Sequence, residues 1–283
     1  MLASKTGAGL GIASRIQSLP PFAPAACRLV QLIQQETAHF HEASRILAVD
    51  PALSTQVLRV ANSALFGRRY EIASIVQALC LVGADRLRDI VLIVAIKNYM
   101  GDEDNLFLQR SWRHSLATAV WCEKLAEEYG VDRPIGYTAG ILHDIGRTAL
   151  LKLFPHEYAT FMATALTGDL DKLDAERALC DVDHCQVGES LAEGWNFPPV
   201  LADVIAYHHE PVTAGTPRSR LLVQAACAAA NLSGFHAIGP EREWDPSQIE
   251  SLLPPRQPAR RLNYEEMLED VAFQINQTEC SLL

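Results

Sequence analysis

The feature that most constrains the fold is an apolar stretch with polar residues set into it, residues 138–153, TAGILHDIGRTALLKL. Ala139, Ile141, Leu142, Ile145, Ala149, Leu150 and Leu153 recur at helical spacing with few charges between them. That pattern predicts one buried helix. His143 and Asp144 stand side by side in it, with Arg147 one turn on. Desolvating a carboxylate and an imidazole together is costly unless something pairs with them, and a divalent cation pairs with both. Four further histidines, His114, His184, His208 and His209, lie in segments that can converge on the pair.

The rest of the chain repeats the same periodicity, and no stretch alternates convincingly as a strand would. Helices are predicted over residues 25–36, 42–49, 51–63, 75–82 and 84–99. Asp50-Pro51 is a start signal, because Asp50 can cap and Pro51 needs no partner for a missing N–H. Ser74 caps the fourth helix and Gly83 ends it. Residues 84–99 are apolar nearly all round, the mark of an interior helix. Asn62–Gly67, NSALFG, reads as a break, and its Leu65 and Phe66 read as core plugs in preference to an exposed edge.

The acidic stretch 101–104 is the best linker candidate. Beyond it, helices are predicted over 106–129, 157–166, 170–180, 184–195, 198–209 and 218–232. After a polar, Pro-rich run at 254–260, a last helix covers 264–275. The fold is therefore expected to be all-α and multi-helical, with an N-terminal arm (1–19), an N-terminal helical bundle (20–105), a second helical unit (106–238) and a C-terminal extension (239–283).

Composition narrows the function. At 283 residues, with 49% hydrophobic and 20% charged residues, the chain can bury a substantial core. Its apolar runs are too short to span a bilayer, and no signal peptide is evident near the first residues. A formal charge of −10 argues against general nucleic-acid affinity, which needs excess Lys and Arg against phosphate. Seven cysteines without a CxxC pair imply reduced thiols and a cytoplasmic protein. His39, His41, His156 and His236 lie beside polar or turn residues and are expected at the surface.

Imidazole nitrogens with one carboxylate suit borderline divalent ions, iron, manganese, zinc or nickel, as one ion or two. Such a metal would lower the pKa of a bound water and make a nucleophile near neutral pH. The order His114, His143-Asp144, His184, His208-His209 resembles the HD superfamily of metal-dependent phosphohydrolases, particularly its HD-GYP branch. LPPFAPAACRLVQLI, DPALSTQVLRVANSALFG and ALCLVGADRLRDIVL are similar to the HDOD family, bacterial signalling modules related to HD domains. The resemblance implies an HD-like helical domain over 106–238, with His114, His143, Asp144, His184, His208 and His209 as metal ligands and Asp144 bridging.

Three departures bear on catalysis. The superfamily's last aspartate has no counterpart; Cys227 or Gln224 stands near its place. Cys227 is a possible extra ligand, although an alanine-rich helix more simply holds it as an inert small hydrophobe. The sequence after His209 is no GYP motif. Arg147 replaces a lysine, keeps its charge and can contact a phosphate bidentately.

Three readings follow. The first is a regulatory module that acts through a signalling partner protein, with a metal or nucleotide bound and no turnover. The second is a metal-dependent phosphohydrolase of a phosphodiester or nucleotide, with Asp144 and Arg147 catalytic. The third keeps the histidines as structural relics without metal.

Overall fold

The computed structural model describes residues 6–32, 39–62, 71–101, 104–164, 172–238 and 263–282. Among these the chain is helical throughout, with no strand. The helices are α1 (Thr6–Gln17), α2 (Pro24–Gln31), α3 (His39–Ala48), α4 (Pro51–Ala61), α5 (Ile75–Val82) and α6 (Ala84–Met100). Then come α7 (Leu106–Tyr129), α8 (Arg133–Leu142), α9 (Ile145–Leu153), α10 (Pro155–Thr164) and α11 (Lys172–Cys180). The order closes with α12 (His184–Gly194), α13 (Pro199–Tyr207), α14 (Arg218–Leu232) and α15 (Tyr264–Leu282).

Local chemistry sets many of these ends. The Asp50 side chain accepts from the Leu53 N–H and Ser74 accepts from the Gln77 N–H, so both expected caps are made. Gly130, at φ 61°, ends α7 in the left-handed conformation that a glycine adopts freely. α15 runs on to Leu282, well past the expected residue 275, with Val271, Ile275 and Thr278 buried along it. The NSALFG reading for Leu65 and Phe66 lies outside the described residues, as does the Pro-rich run at 254–260.

α6 is the interior helix of the first half. Residues 87–96 are all buried, including Arg88 and Asp89, which hold each other at 3.2 Å. α4 and α2 pack on it. In the second half α7 is the spine, flanked by α8 and α14, while α12 packs on α9 and α13, and α13 on α8 and α14. Alanines 225, 226, 229 and 230 are buried on α14, which lets its backbone come close to α7. An aromatic cluster joins the halves: Phe22 stacks on Trp195 at 4.8 Å, and Tyr99 meets Trp195 edge-on at 5.5 Å. No helix among the described residues is long and apolar enough to cross a membrane.

Residues 138–153 are not one helix. α8 stops at Leu142, Asp144 takes φ −102°, ψ 17°, and α9 starts at Ile145. The reason lies in the angular step of a helix. Adjacent residues point about 100° apart on a continuous turn, so a straight helix aims His143 and Asp144 at different neighbours. The break turns both toward one point.

Candidate metal centre

Five elements bring the expected residues together. His114 comes from the middle of α7, His143 and Asp144 from the α8–α9 break, and His184 from the first position of α12. An Asp183–Gln186 capping box fixes that position. His208 and His209 follow the end of α13, where the helical constraint on adjacent residues relaxes, and their ring centroids lie 4.3 Å apart. Cys227 sits on α14, half-buried.

Asp144 is the centre. Its Oδ1 lies 3.3 Å from the Nε2 atoms of both His184 and His208. Its Oδ2 lies 3.6 Å from His143 Nε2 and 3.8 Å from His114 Nε2. The opposite nitrogen of each ring is committed to the scaffold. The Nδ1 of His114 donates to the Phe235 carbonyl at 2.6 Å, and that of His143 to the Gly140 carbonyl at 2.7 Å. The Nδ1 of His208 donates to Val204 and Ile205, and that of His184 to Glu176 Oε2 at 2.6 Å. With the proton on Nδ1, every Nε2 presents a lone pair to the aspartate.

Lone pairs facing lone pairs leave a deficit. His143 Nε2, Asp144 Oδ1 and His208 Nε2 are buried without a hydrogen-bond partner. Such orphans carry a desolvation cost that a cation would remove. A ligating histidine usually gives its other N–H to a carbonyl or carboxylate, which is the pattern on all four rings here. The residues therefore fit a divalent transition ion, held by nitrogen and carboxylate donors within reach of Cys185 and Cys227.

Arg147 does not reach out as a phosphate ligand. Its guanidinium is buried, with Nε on Asp144 Oδ2 at 2.7 Å, Nη1 on Glu176 Oε1 at 3.0 Å and Nη2 3.4 Å from His209 Nε2. Tyr158 donates to Glu176 Oε1 at 2.6 Å. Burial pushes the Asp144 carboxyl up, but Arg147 foremost among its neighbours holds it well below the usual carboxylate range. Burial likewise opposes charge on Glu176, yet His184 and Arg147 bring it down to about 2. Burial lowers His143 to about 3 and keeps its ring neutral. His184 is lowered by burial and then by Arg147. His209 keeps an exposed edge, but desolvation of the buried part of its ring, then His208, His184 and Arg147, push its pKa down.

Of the histidines expected at the surface, His156 is exposed, and the side chains of His39 and His41 lie outside the described residues. His236 is a correction. It is buried, 3.3 Å from Arg110 Nη2, because the segment after α14 folds back under α7 to give His114 its carbonyl partner. Cys227 is half-buried, with its Sγ 3.5 Å from His114 Nε2. Glu176 and Tyr158 escaped the sequence reading. Glu176 sits in DKLDAERALC, which looks like a solvated helix face, and no local signal marks it as fully buried.

A helical bundle that gathers imidazoles from separate helices around a His-Asp pair is what an HD-type resemblance implies. Residues 19–211 match the HDOD domain family, and the chain belongs to that family. It is 24% identical over 200 residues to a Treponema pallidum protein of no stated function, covering 70% of this chain and 39% of that protein. It is 27% identical over 126 residues to ribonuclease Y of Thermus thermophilus, covering 44% of this chain and 17% of that enzyme. The chain thus spans well under half the length of these relatives.

Among solved structures, an HDOD domain protein of unknown function from Geobacter sulfurreducens matches with a TM-score of 0.75 at 22% identity, over 96% of both chains. A Shewanella amazonensis protein provisionally named a phosphohydrolase matches with a TM-score of 0.69 at 23% identity, over 95% of this chain and 97% of that one. These likenesses show the fold.

Proposed function

We propose that the chain is a signal-transduction HDOD module that acts through partner binding, with a divalent transition ion held by the His-Asp cluster as a structural or regulatory centre. The observation that carries this reading is the trio of orphaned atoms, His143 Nε2, Asp144 Oδ1 and His208 Nε2, facing one another in the core. His114, His143, Asp144, His184, His208 and His209 would hold the ion, which would supply Lewis-acid polarisation to any oxygen brought to it. The chain's own residues favour binding over turnover. Arg147 is fully engaged with Asp144, Glu176 and His209, so it offers no free fork to a phosphate. The cluster is buried except at the edge of His209.

A second reading, metal-dependent hydrolysis of a phosphodiester or nucleotide, draws on that exposed His209 edge and on names. Structural relatives are named for phosphohydrolase and for signal transduction, and ribonuclease Y shares a segment with the chain. Protein purified without chelator is expected to contain one or two transition-metal ions per chain by elemental analysis. It is expected to release no product from generic phosphodiesters with added Mn2+ or Fe2+. Turnover that Asp144→Ala abolishes would make the enzyme reading the correct one. Metal-free protein that stays metal-free on zinc addition would remove the centre altogether.

A further inference from the structure

We propose that Cys227 is a thiolate ligand, so that the His114–His143 end of the centre is a nitrogen–sulfur site that selects a soft or borderline ion such as Zn2+ over Mg2+ or Mn2+. The proposal rests on the metal reading above and deepens it. His114, His143 and Cys227 each offer a donor atom, and the three atoms lie within 4.8 Å of one another. Tetrahedral zinc with Zn–S about 2.3 Å and Zn–N about 2.0 Å sets sulfur and nitrogen about 3.5 Å apart. Cys227 Sγ and His114 Nε2 are 3.5 Å apart.

Two further observations point to a cation at this spot. His143 Nε2 is buried, only 1% of the residue is exposed, and the atom has no hydrogen-bond partner. On the outer side of the sulfur, the Asn231 side-chain amide, one turn along α14, donates to Cys227 Sγ at 3.7 Å. Such an outer N–H is the kind of supporting contact that orients a ligating side chain. The small buried face of α14 is what brings the cysteine this near to α7, since each larger side chain there would hold the helices apart. Ligation breaks the S–H bond, forms the S–metal bond and releases one proton to solvent.

Cys185 is the natural control. Its Sγ lies 3.6 Å from His184 Nε2, but its other neighbour is His208 Nδ1 at 4.0 Å, the nitrogen already committed to backbone carbonyls. A soft donor beside two imidazoles discriminates by ligand type, because thiolate suits zinc and carboxylate-rich sites suit magnesium and manganese.

Cobalt titration of the metal-stripped chain tests the assignment. The wild type is expected to develop a near-ultraviolet sulfur-to-cobalt charge-transfer band along with visible d–d bands. Cys227→Ser is expected to lose the first and keep the second, while Cys185→Ser keeps both. A charge-transfer band that survives in Cys227→Ser overturns the assignment. So does cobalt uptake by the wild type with d–d bands alone, which leaves the metal reading intact. No cobalt or zinc uptake sinks both. A measurement on the wild type needs no variant: zinc loading is expected to protect Cys227 from alkylation, mapped by peptide mass, while the exposed Cys80 and Cys280 react freely. Equal alkylation of Cys227 with and without zinc overturns the assignment.

Discussion

Arg147 sits between two buried carboxylates with all three guanidinium nitrogens engaged, on Asp144, Glu176 and His209. Burial works against its charge, but Asp144, Tyr158 and Glu176 hold its pKa well above the usual arginine value. Removing one partner of such a set strands the others. Arg147→Met is expected to lower unfolding free energy by about 3–5 kcal/mol in urea titrations, because Asp144 and Glu176 would be left as unpaired buried charges. Arg147→Lys should recover part of that loss, since an ammonium keeps the charge and loses the fork. Asp89 behaves in the opposite sense. Burial raises its carboxyl from 3.8 to about 6, although Arg88 and Arg86 pull it down. A carboxyl raised in the folded state contributes stability that is present below the unfolded pKa and lost as pH rises through the folded one. Relative to Asp89→Asn, which does not titrate, the wild type is expected to lose about 3 kcal/mol between about pH 3 and about pH 7 and to stay level above that. Paired urea titrations across that range check it, and a constant difference would contradict the burial of Asp89.

At the scale of helices, α9 and α12 meet where Gly146 lies under the first turn of α12. A Cβ at Gly146 would fall 1.9 Å from the His184 carbonyl oxygen and 2.9 Å from the Gly188 backbone nitrogen. Backbone atoms cannot swing aside as a side chain can. Gly146→Ala is therefore expected to destabilise the fold by about 3 kcal/mol or more in thermal and urea melts, at the top of the usual range for overpacking. It should also reduce zinc uptake by elemental analysis, because the crossing sets His184 against Asp144. Much at this scale was legible in advance. α7 and α14 have the bounds that their periodicity, Gly130 and the alanine run predict, and Asp50 and Ser74 cap as their positions suggest. The break at His143–Asp144 was not legible, because a continuous apolar period survives across it and only packing against α7 and α12 rewards the kink. Glu176 and His236 were hidden for a related reason. Each is buried by elements distant in sequence, and nothing in the neighbouring residues records that.

Across the whole molecule, the cluster ties together α7, the α8–α9 break, α12, the end of α13 and α14. α12 carries the tie further: it starts at His184 and is followed at its far end by Trp195, stacked on Phe22 of the first half. The buried core is contiguous from Phe22 to Ile275. An ion held here binds the folded chain and not the unfolded one, in which the donors are scattered, so it adds stability by mass action. That gain is about 2.7 kcal/mol at free metal one hundredfold above Kd. For a chain of this length each kcal/mol moves the melting temperature by about 2–4 °C. Zinc at that excess is thus expected to raise Tm by roughly 5–10 °C over chelator-treated protein, in scanning calorimetry, and by progressively more with concentration. Asp144→Asn provides the comparison. It keeps the shape of the site and removes the charge that faces four imidazoles, so zinc should raise its Tm by less than it raises that of the wild type. A wild-type Tm equally indifferent to zinc and to chelator would mean that Arg147 alone balances Asp144, and that the imidazoles gather there to pack.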